Sequence, residues 1–375
     1  MEGAGGPGER SVKLGVRAAL VDGAIIPGDV TVEGDRISRV GVQPAGLGGL
    51  AAPGLIDVQV NGFAGIDFTT ASPDDYDAVA TAMAASGVTA FQPTLISLPE
   101  TAYLAALEHL AAVATDQARV LGMHLEGPFL SPVRRGAHDQ ANMVDPDPAL
   151  ATRLIDAGPV THMTIAPELP GALDLIELLI ARNVTVAVGH SDADAATAHA
   201  AFDRGARSVT HLFNAQRPWA HRDPGIAGAA LTRRDVFLTA IVDGIHLAAD
   251  TVRLAATAAG SRFVLMTDAI AAAGQPEGTY ELGDRTVHVA DDVCRLDNGT
   301  LAGSVLTMDQ AVRNLLELGF GVPQAVAAAA TAPAELVRRP ELGTLRPGTP
   351  ADVCVFDDAF QVVRTIVAGK ETFAS

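Results

Sequence analysis

An α/β fold, a (β/α)8 TIM barrel beside a small discontinuous β-sandwich domain, is the class this 375-residue sequence predicts. Three observations carry it. Eight apolar runs recur between Leu55 and Asp268, most of them separated by helix-length segments, and the two ends of the chain follow a hairpin rhythm instead. Eight βα units suggest a closed barrel, because a doubly wound sheet usually needs fewer strands.

Residues 12–52 alternate short β-branched runs with turn signals, VKLGVRAALVDG and then DVTVEGDRISRVGV, with Gly34-Asp35 as a tight turn. This is antiparallel β and forms the first part of the sandwich, residues 1–52. From Pro53 the rhythm changes to LIDVQVNG, VTAFQPTLIS, RVLGMHLEG, VTHMTIAPE, VTVAVGH, SVTHLFN, FLTAIVDG and RFVLMTD. Strands buried on both faces read as such continuous Val/Ile/Leu runs. Segments such as DDYDAVATAMAASG, ALDLIELLIARN and DADAATAHAAFDRG supply the helices between them. After Asp268, the turn-rich GTYELGDRTVHVADDVCRLDNG predicts a β insertion near 275–300. Two helix-like stretches, SVLTMDQAVRNLLELG and VPQAVAAAATAPAELVRR, then complete the barrel domain, residues 53–342. The hairpin-like PADVCVFDDAFQVVRTIVAGKETF lets residues 343–375 pair with the first 52. No repeat of solenoid period is present.

Hydrophobic residues make up 48% of the chain and charged ones 19%, which calls for a large buried interior. A net charge of −18 argues against nucleic acid and anionic membrane partners. An anionic small substrate stays open, since a local cluster of Arg and His reverses the field within one pocket. Cys294 and Cys354 lie far apart with no CxxC, which speaks against a thiolate metal site or a disulfide framework. No apolar stretch reaches spanning length, and the Gly-rich start MEGAGGPGER lacks the basic-then-apolar order of a secretion signal. The expected location is cytoplasmic.

Four of the apolar runs end on residues suited to metal chemistry: Glu126, His190, His211 and Asp268. In a (β/α)8 barrel the polar residue where a strand stops sits on the rim that carries chemistry. A catalytic zinc takes His nitrogen and carboxylate oxygen, usually from three protein ligands, and keeps a position for water. Glu126, His190 and His211 supply that count, and the spacing of the two histidines fits one βα repeat, which sets them on neighbouring strands. The water then needs a base, and Asp268 at the end of the last barrel strand is the candidate.

With these come PGLIDVQVNG, GVTAFQPTL, HLEGPFL, RRGAHD, VGHSDAD, HLFNAQ, HRDPGIAG, DGIH, MTDAIAAAG, GTLAGSVLTM and LRPGTPADVCVFD. Through them the sequence resembles the amidohydrolase superfamily over essentially its whole length, in the branch of N-acetylglucosamine-6-phosphate deacetylases. The resemblance implies a barrel of the metal-dependent hydrolase type, one divalent ion per subunit, Zn2+, and hydrolysis of the N-acetyl group of an amino-sugar phosphate. It implies a homodimer whose partner subunit reaches the phosphate pocket, with neither nucleic acid nor membrane as partner. Most amidohydrolases carry His-x-His at the end of the first barrel strand, where this chain has Gln59-Val60-Asn61. Carboxamides are poor zinc ligands, so one tightly held metal is expected, with Gln59 and Asn61 as secondary metal or water contacts. By the same resemblance Ala137 and His138 contact substrate, and His138 stabilises the developing oxyanion. Asn214 and Ala215 hold the phosphate side, Arg222 clamps the phosphate, Asp243 and His246 add contacts, and Leu301, Ala302 and Gly303 line the sugar and acetyl pocket. His221 is an additional contact on weaker grounds.

The other histidines carry less. His109 and His199 fall in helix-like segments with surface or packing roles, His162 and His288 carry no motif, and His124 shares a strand face with Glu126, where it lines the site or packs. Where many family members have Met after HLFNA, this chain reads Gln216-Arg217-Pro218-Trp219, a loop expected to approach the substrate end and to affect which sugar fits. Deacetylation of N-acetylgalactosamine 6-phosphate, or of another N-acylated sugar phosphate, is the alternative. HRDPG and GAHD speak against N-acyl amino acids or cyclic amides. A non-catalytic barrel would have lost the ligands or the base, and all four residues are present.

Overall fold

The computed structural model describes residues 11–375, so the MEGAGGPGER start lies outside the described residues. Its centre is a ring of eight parallel strands: β1 (Leu55–Val60), β2 (Val88–Leu95), β3 (Met123–Glu126), β4 (Val160–Ile165), β5 (Thr185–Val188), β6 (Ser208–Val209), β7 (Phe237–Ala240) and β8 (Phe263–Leu265). Each pairs in parallel with the next. The ring closes just beyond β8, where Asp268 N donates to Gln59 O at 3.0 Å and Asn61 N to Ala269 O at 2.7 Å. Every residue of β1 and β2 is buried, which is why these strands read as unbroken apolar runs.

The helices cover the ring with one apolar face each. In Pro73–Ala84, Tyr76, Val79, Ala80 and Met83 turn inward at helical spacing. Burying a side chain the size of Val or Met contributes about 1.5–3 kcal/mol. At the start of that helix Asp75 accepts from both the backbone N–H and the hydroxyl of Ser72 at 2.8 Å, which satisfies a donor the helix leaves over. The stretch read as one helix from Val322 is two, Val322–Ala329 and Thr331–Leu336, with Ala330 at φ −132° between them. Pro333 explains the break: its ring clashes with the carbonyl four residues back, and the first turn of a new helix tolerates it.

Beside the barrel lies a six-stranded sheet in the order Lys370–Ala374, Val362–Val367, Val353–Phe356, Gly48–Pro53, Val16–Val21, Ala24–Pro27. The two ends of the chain meet where Val353–Phe356 runs antiparallel to Gly48–Pro53. Val12–Lys13, Asp29–Glu33 and Arg36–Val42 form a second sheet, with Gly34 and Asp35 in the turn, and a small separate core that includes Val16, Val30, Ile37 and Val353 lies between the two. Arg119, just before β3, braces this unit through two bonds to the buried Asp352, at 2.6 and 3.1 Å. Gly278–Leu282, Arg285–Ala290 and Val293–Arg295 form a three-stranded antiparallel sheet that reaches the mouth of the barrel. Among the described residues no helix is long and apolar enough to cross a membrane.

Candidate active site

At the carboxyl ends of the strands lies a cavity of about 320 Å3, the size of a small-ligand pocket and the place where such barrels work. Glu126, from the end of β3, is almost wholly buried. His190 and His211 follow the ends of β5 and β6, and Asp268 lies just past β8. All three leave the strand with left-handed backbone, φ +46°, +31° and +50°. That region costs an ordinary side chain energy and persists only where the surroundings impose it, as at functional sites.

Three donor atoms converge. His211 Nε2 lies 2.8 Å from Glu126 Oε1, His190 Nε2 lies 3.2 Å from the same oxygen, and the two nitrogens are 3.0 Å apart. Tetrahedral zinc with bonds of about 2.0–2.2 Å holds its donors roughly 3.4 Å apart, close to this triangle. The tautomers fit as well. His190 Nδ1 donates to Arg134 O at 3.0 Å and His211 Nδ1 to Asn214 O at 3.2 Å, so each Nε2 lone pair is left for a cation. Burial pulls His190 down to about 4, which keeps it neutral. Burial opposes the charge on Glu126, but the imidazoles facing it, with the Nε2–H of His138 as donor, outweigh that and hold the carboxyl well below its usual range.

A looser grouping of possible ligand atoms takes Glu126, His138 and His190 together. The proton argues for His211 over His138. His138 Nδ1 accepts the backbone N–H of Ser97 at 3.1 Å, so its Nε2 carries the hydrogen, and that nitrogen sits 3.4 Å from Glu126 Oε2 as a donor.

Gln59 and Asn61 act on the carboxylates. Gln59 Nε2 donates to Glu126 Oε1 at 2.9 Å and to Asp268 Oδ1 at 3.0 Å, and Asn61 Nδ2 donates to Asp268 Oδ1 at 2.7 Å. Carboxylates only accept, so these amides face them nitrogen first. Asn61 Oδ1 is buried and has no partner among the described residues. Burial, with the nearby Glu126 adding to it, raises the Asp268 carboxyl to about 6. Behind it, Gly303 at φ +64° lets its segment approach: a Cβ there would lie 2.8 Å from Asp268 O and 2.5 Å from Ile270.

Of the other residues singled out in the sequence, Ala137, His138, Asn214, Ala215, His246, Leu301 and Gly303 line the cavity. Ala302 is fully buried behind the wall. Asp243 stands behind His246, accepting from its Nδ1 at 2.6 Å and from its backbone N–H at 2.8 Å. His221 and Arg222 are exposed and outside the lining of this chain's own cavity. Gln216 is outside the cavity lining: it is buried, its Oε1 accepting from Phe213 N at 3.1 Å and its Nε2 donating to Thr210 O at 2.9 Å, so it ties the loop that carries His211. Arg217 turns to Asp223 at 2.7 Å, and Trp219 is half exposed. His124 packs within the barrel, stacked on His162 and bonded to Thr164 at 2.8 Å. Arg295 and Leu282, from the insertion, line the cavity and belong to no motif, and Thr300, which lines it too, falls inside GTLAGSVLTM without having been picked out.

The Amidohydrolase family is matched over residues 50–372. An N-acetylglucosamine-6-phosphate deacetylase of Bos taurus is 38% identical over 94% of this chain and 93% of its own length. An N-acetylgalactosamine-6-phosphate deacetylase of Escherichia coli O157:H7 is 37% identical over 86% and 87%. A mutant of the Mycobacterium smegmatis N-acetyl-D-glucosamine-6-phosphate deacetylase, solved in complex with N-acetyl-D-glucosamine-6-phosphate, superposes with a TM-score of 0.91 at 33% identity, covering 97% of this chain and 100% of that one.

Proposed function

From the premise that this chain belongs to the amidohydrolase family, we propose that it hydrolyses the N-acetyl amide of N-acetylglucosamine 6-phosphate to glucosamine 6-phosphate and acetate. The observation that carries this reading is the meeting of Glu126 Oε1 with His190 Nε2 and His211 Nε2, all within 3.2 Å, in a cavity shared with Asp268. Those three residues would hold one Zn2+, which when bound supplies Lewis acidity that brings a water toward ionisation at neutral pH.

Asp268 takes the proton of the attacking water and passes it to the departing nitrogen. A carboxyl raised to about 6 is suited to both halves of that transfer near neutrality. Gln59 and Asn61 fix the carboxylate that does it, and Asn61 Oδ1 offers an acceptor beside it. His138 Nε2–H is the donor for the amide oxygen as negative charge builds there. Asp243 holds His246 toward the sugar, and Asn214 and Ala215 line the phosphate side. In this reading the barrel of residues 53–342 carries the chemistry and the β unit of 1–52 and 343–375 braces it. The assembly is a homodimer, in which an exposed Arg222 serves the cavity of the neighbouring copy.

The galactosamine epimer is the second reading, supported by the Escherichia coli relative. One experiment covers both. Zinc-loaded enzyme is offered N-acetylglucosamine and N-acetylgalactosamine, each with and without 6-phosphate, and acetate is measured alongside metal content. Acetate from a phosphorylated sugar at one zinc per chain is the expected result, and the faster epimer names the substrate. No acetate from any of them would overturn the reading.

A further inference from the structure

We propose that Arg295 binds the anionic end of the substrate from within the same chain and so sets the preference for a phosphorylated over a neutral sugar; this rests on the substrate reading above. Among the described residues lining the cavity, Arg295 is the one Arg or Lys. It closes the last strand of the three-stranded insertion, Val293–Arg295, and its backbone bridges Leu301 in the cavity wall. The turn between them is pinned by Leu296 N donating to Thr300 O at 2.9 Å, with Gly299 at φ +84°.

The side chain is held and only partly used. Its Nη1 donates to Gly299 O at 2.7 Å, and among the described residues Nε and Nη2 have no protein acceptor. Arg285 on the same sheet faces Asp139 at 3.5 Å, whereas no described carboxylate lies within ion-pair distance of Arg295. In a chain of net charge −18, whose cavity also holds Glu126 and Asp268, the local field repels an anion unless a cation is kept free of carboxylates. A guanidinium with one arm fixed and two donors free matches phosphate oxygens in pairs.

The test compares wild type, Arg295→Ala, Arg295→Lys and Arg285→Ala, all zinc-loaded and each checked by thermal melting. The readouts are calorimetric binding of glucosamine 6-phosphate and of glucosamine, and KM and kcat on N-acetylglucosamine 6-phosphate. Charge-assisted hydrogen bonds of this kind predict that Arg295→Ala weakens glucosamine 6-phosphate and raises KM by about 10–100-fold, with the effect on KM rather than kcat. Glucosamine affinity should not follow, Arg295→Lys should recover part of the loss, and Arg285→Ala should behave as wild type. A folded Arg295→Ala whose affinity and KM stay within twofold of wild type overturns the proposal, as does an equal loss toward glucosamine. Failure of the substrate reading shows up separately, as a wild type that releases no acetate.

Discussion

Replacing Asp268 with Asn separates the base from the scaffold that holds it. Asn keeps an Oδ1 for the two donors now on that atom, Gln59 Nε2 at 3.0 Å and Asn61 Nδ2 at 2.7 Å, and changes only the second oxygen to an amide nitrogen. The backbone links to Gln59 O and Ser304 N are untouched. What disappears is the group that takes and returns a proton, which in general acid–base catalysis is worth about 10²–10⁴-fold, or roughly 2.7–5.4 kcal/mol of barrier. Stability should hold or rise, because burial penalises the carboxylate in the native protein and an amide carries no charge to desolvate. The assay is kcat on N-acetylglucosamine 6-phosphate with the melting temperature and zinc content of the same preparation. Wild type should lose activity as pH falls, since the base works ionised. The acid limb should lie at or below about pH 6, where burial sets the carboxyl, because a cation held by Glu126 favours the charged form. Asp268→Asn should lack that limb. A zinc-loaded, folded Asp268→Asn with kcat within threefold of wild type would refute the assignment of the proton to this residue.

Asn61→Leu removes a donor that favours ionised Asp268, so the acid limb of kcat/KM should move to higher pH; a limb that stays in place would show that this bond does not set the base. Stripping the metal with a chelator should abolish acetate release and lower the melting temperature, since ligand at about 1,000 times its Kd stabilises by about 4 kcal/mol, and zinc should restore both. Unchanged melting would count against Glu126, His190 and His211 as a shared site. Asp57, buried and bonded to Thr267 beside the base, is raised from 3.8 to about 7, chiefly by burial. The native chain therefore holds a proton that the unfolded one has lost between those values, and this group's contribution to stability falls as pH rises through the window and is flat above it. Denaturant titrations should show Asp57→Asn gaining on wild type by up to about 4 kcal/mol from pH 4 to pH 7; a gap independent of pH would contradict the burial argument.

The barrel was legible because its strands are buried on both faces, and such strands cannot disguise their composition. β1 and β2, buried at every residue, correspond to LIDVQVNG and VTAFQPTLIS. Glu126, His190, His211 and Asp268 were legible for the complementary reason, that a polar residue ending an apolar run at the strand's carboxyl end stands on the rim. Their arrangement was less so. Nothing in the residue types announces the left-handed backbone at His190, His211 and Asp268 that turns their side chains into one cavity. Gln216 misled because a carboxamide in a site loop suggests a ligand contact, whereas its oxygen and nitrogen close the loop on Phe213 and Thr210.

Arg295 was missed for a more general reason. Strand-end logic ranks residues by their place in the βα repeat, and Arg295 belongs to an antiparallel insertion outside that repeat. Yet the insertion reaches over the barrel mouth: Gly283 packs on Ile96 and Leu98 past the end of β2, its N–H donates to Asp67 at 2.7 Å, and Leu282 and Arg295 enter the cavity wall. On the proposed function the barrel rim supplies the groups that act on the amide, while the insertion supplies a cation to the same cavity. In this reading substrate selection can change through residues 278–301 while Glu126, His190 and His211 keep their places at the ends of β3, β5 and β6, and the insertion touches the base through one short segment, in which Ala302 N donates to Cys294 O and Ser304 N to Asp268 O. Exchanging the insertion between this chain and a relative of the other epimer specificity should move KM and leave the acid limb of the pH profile in place.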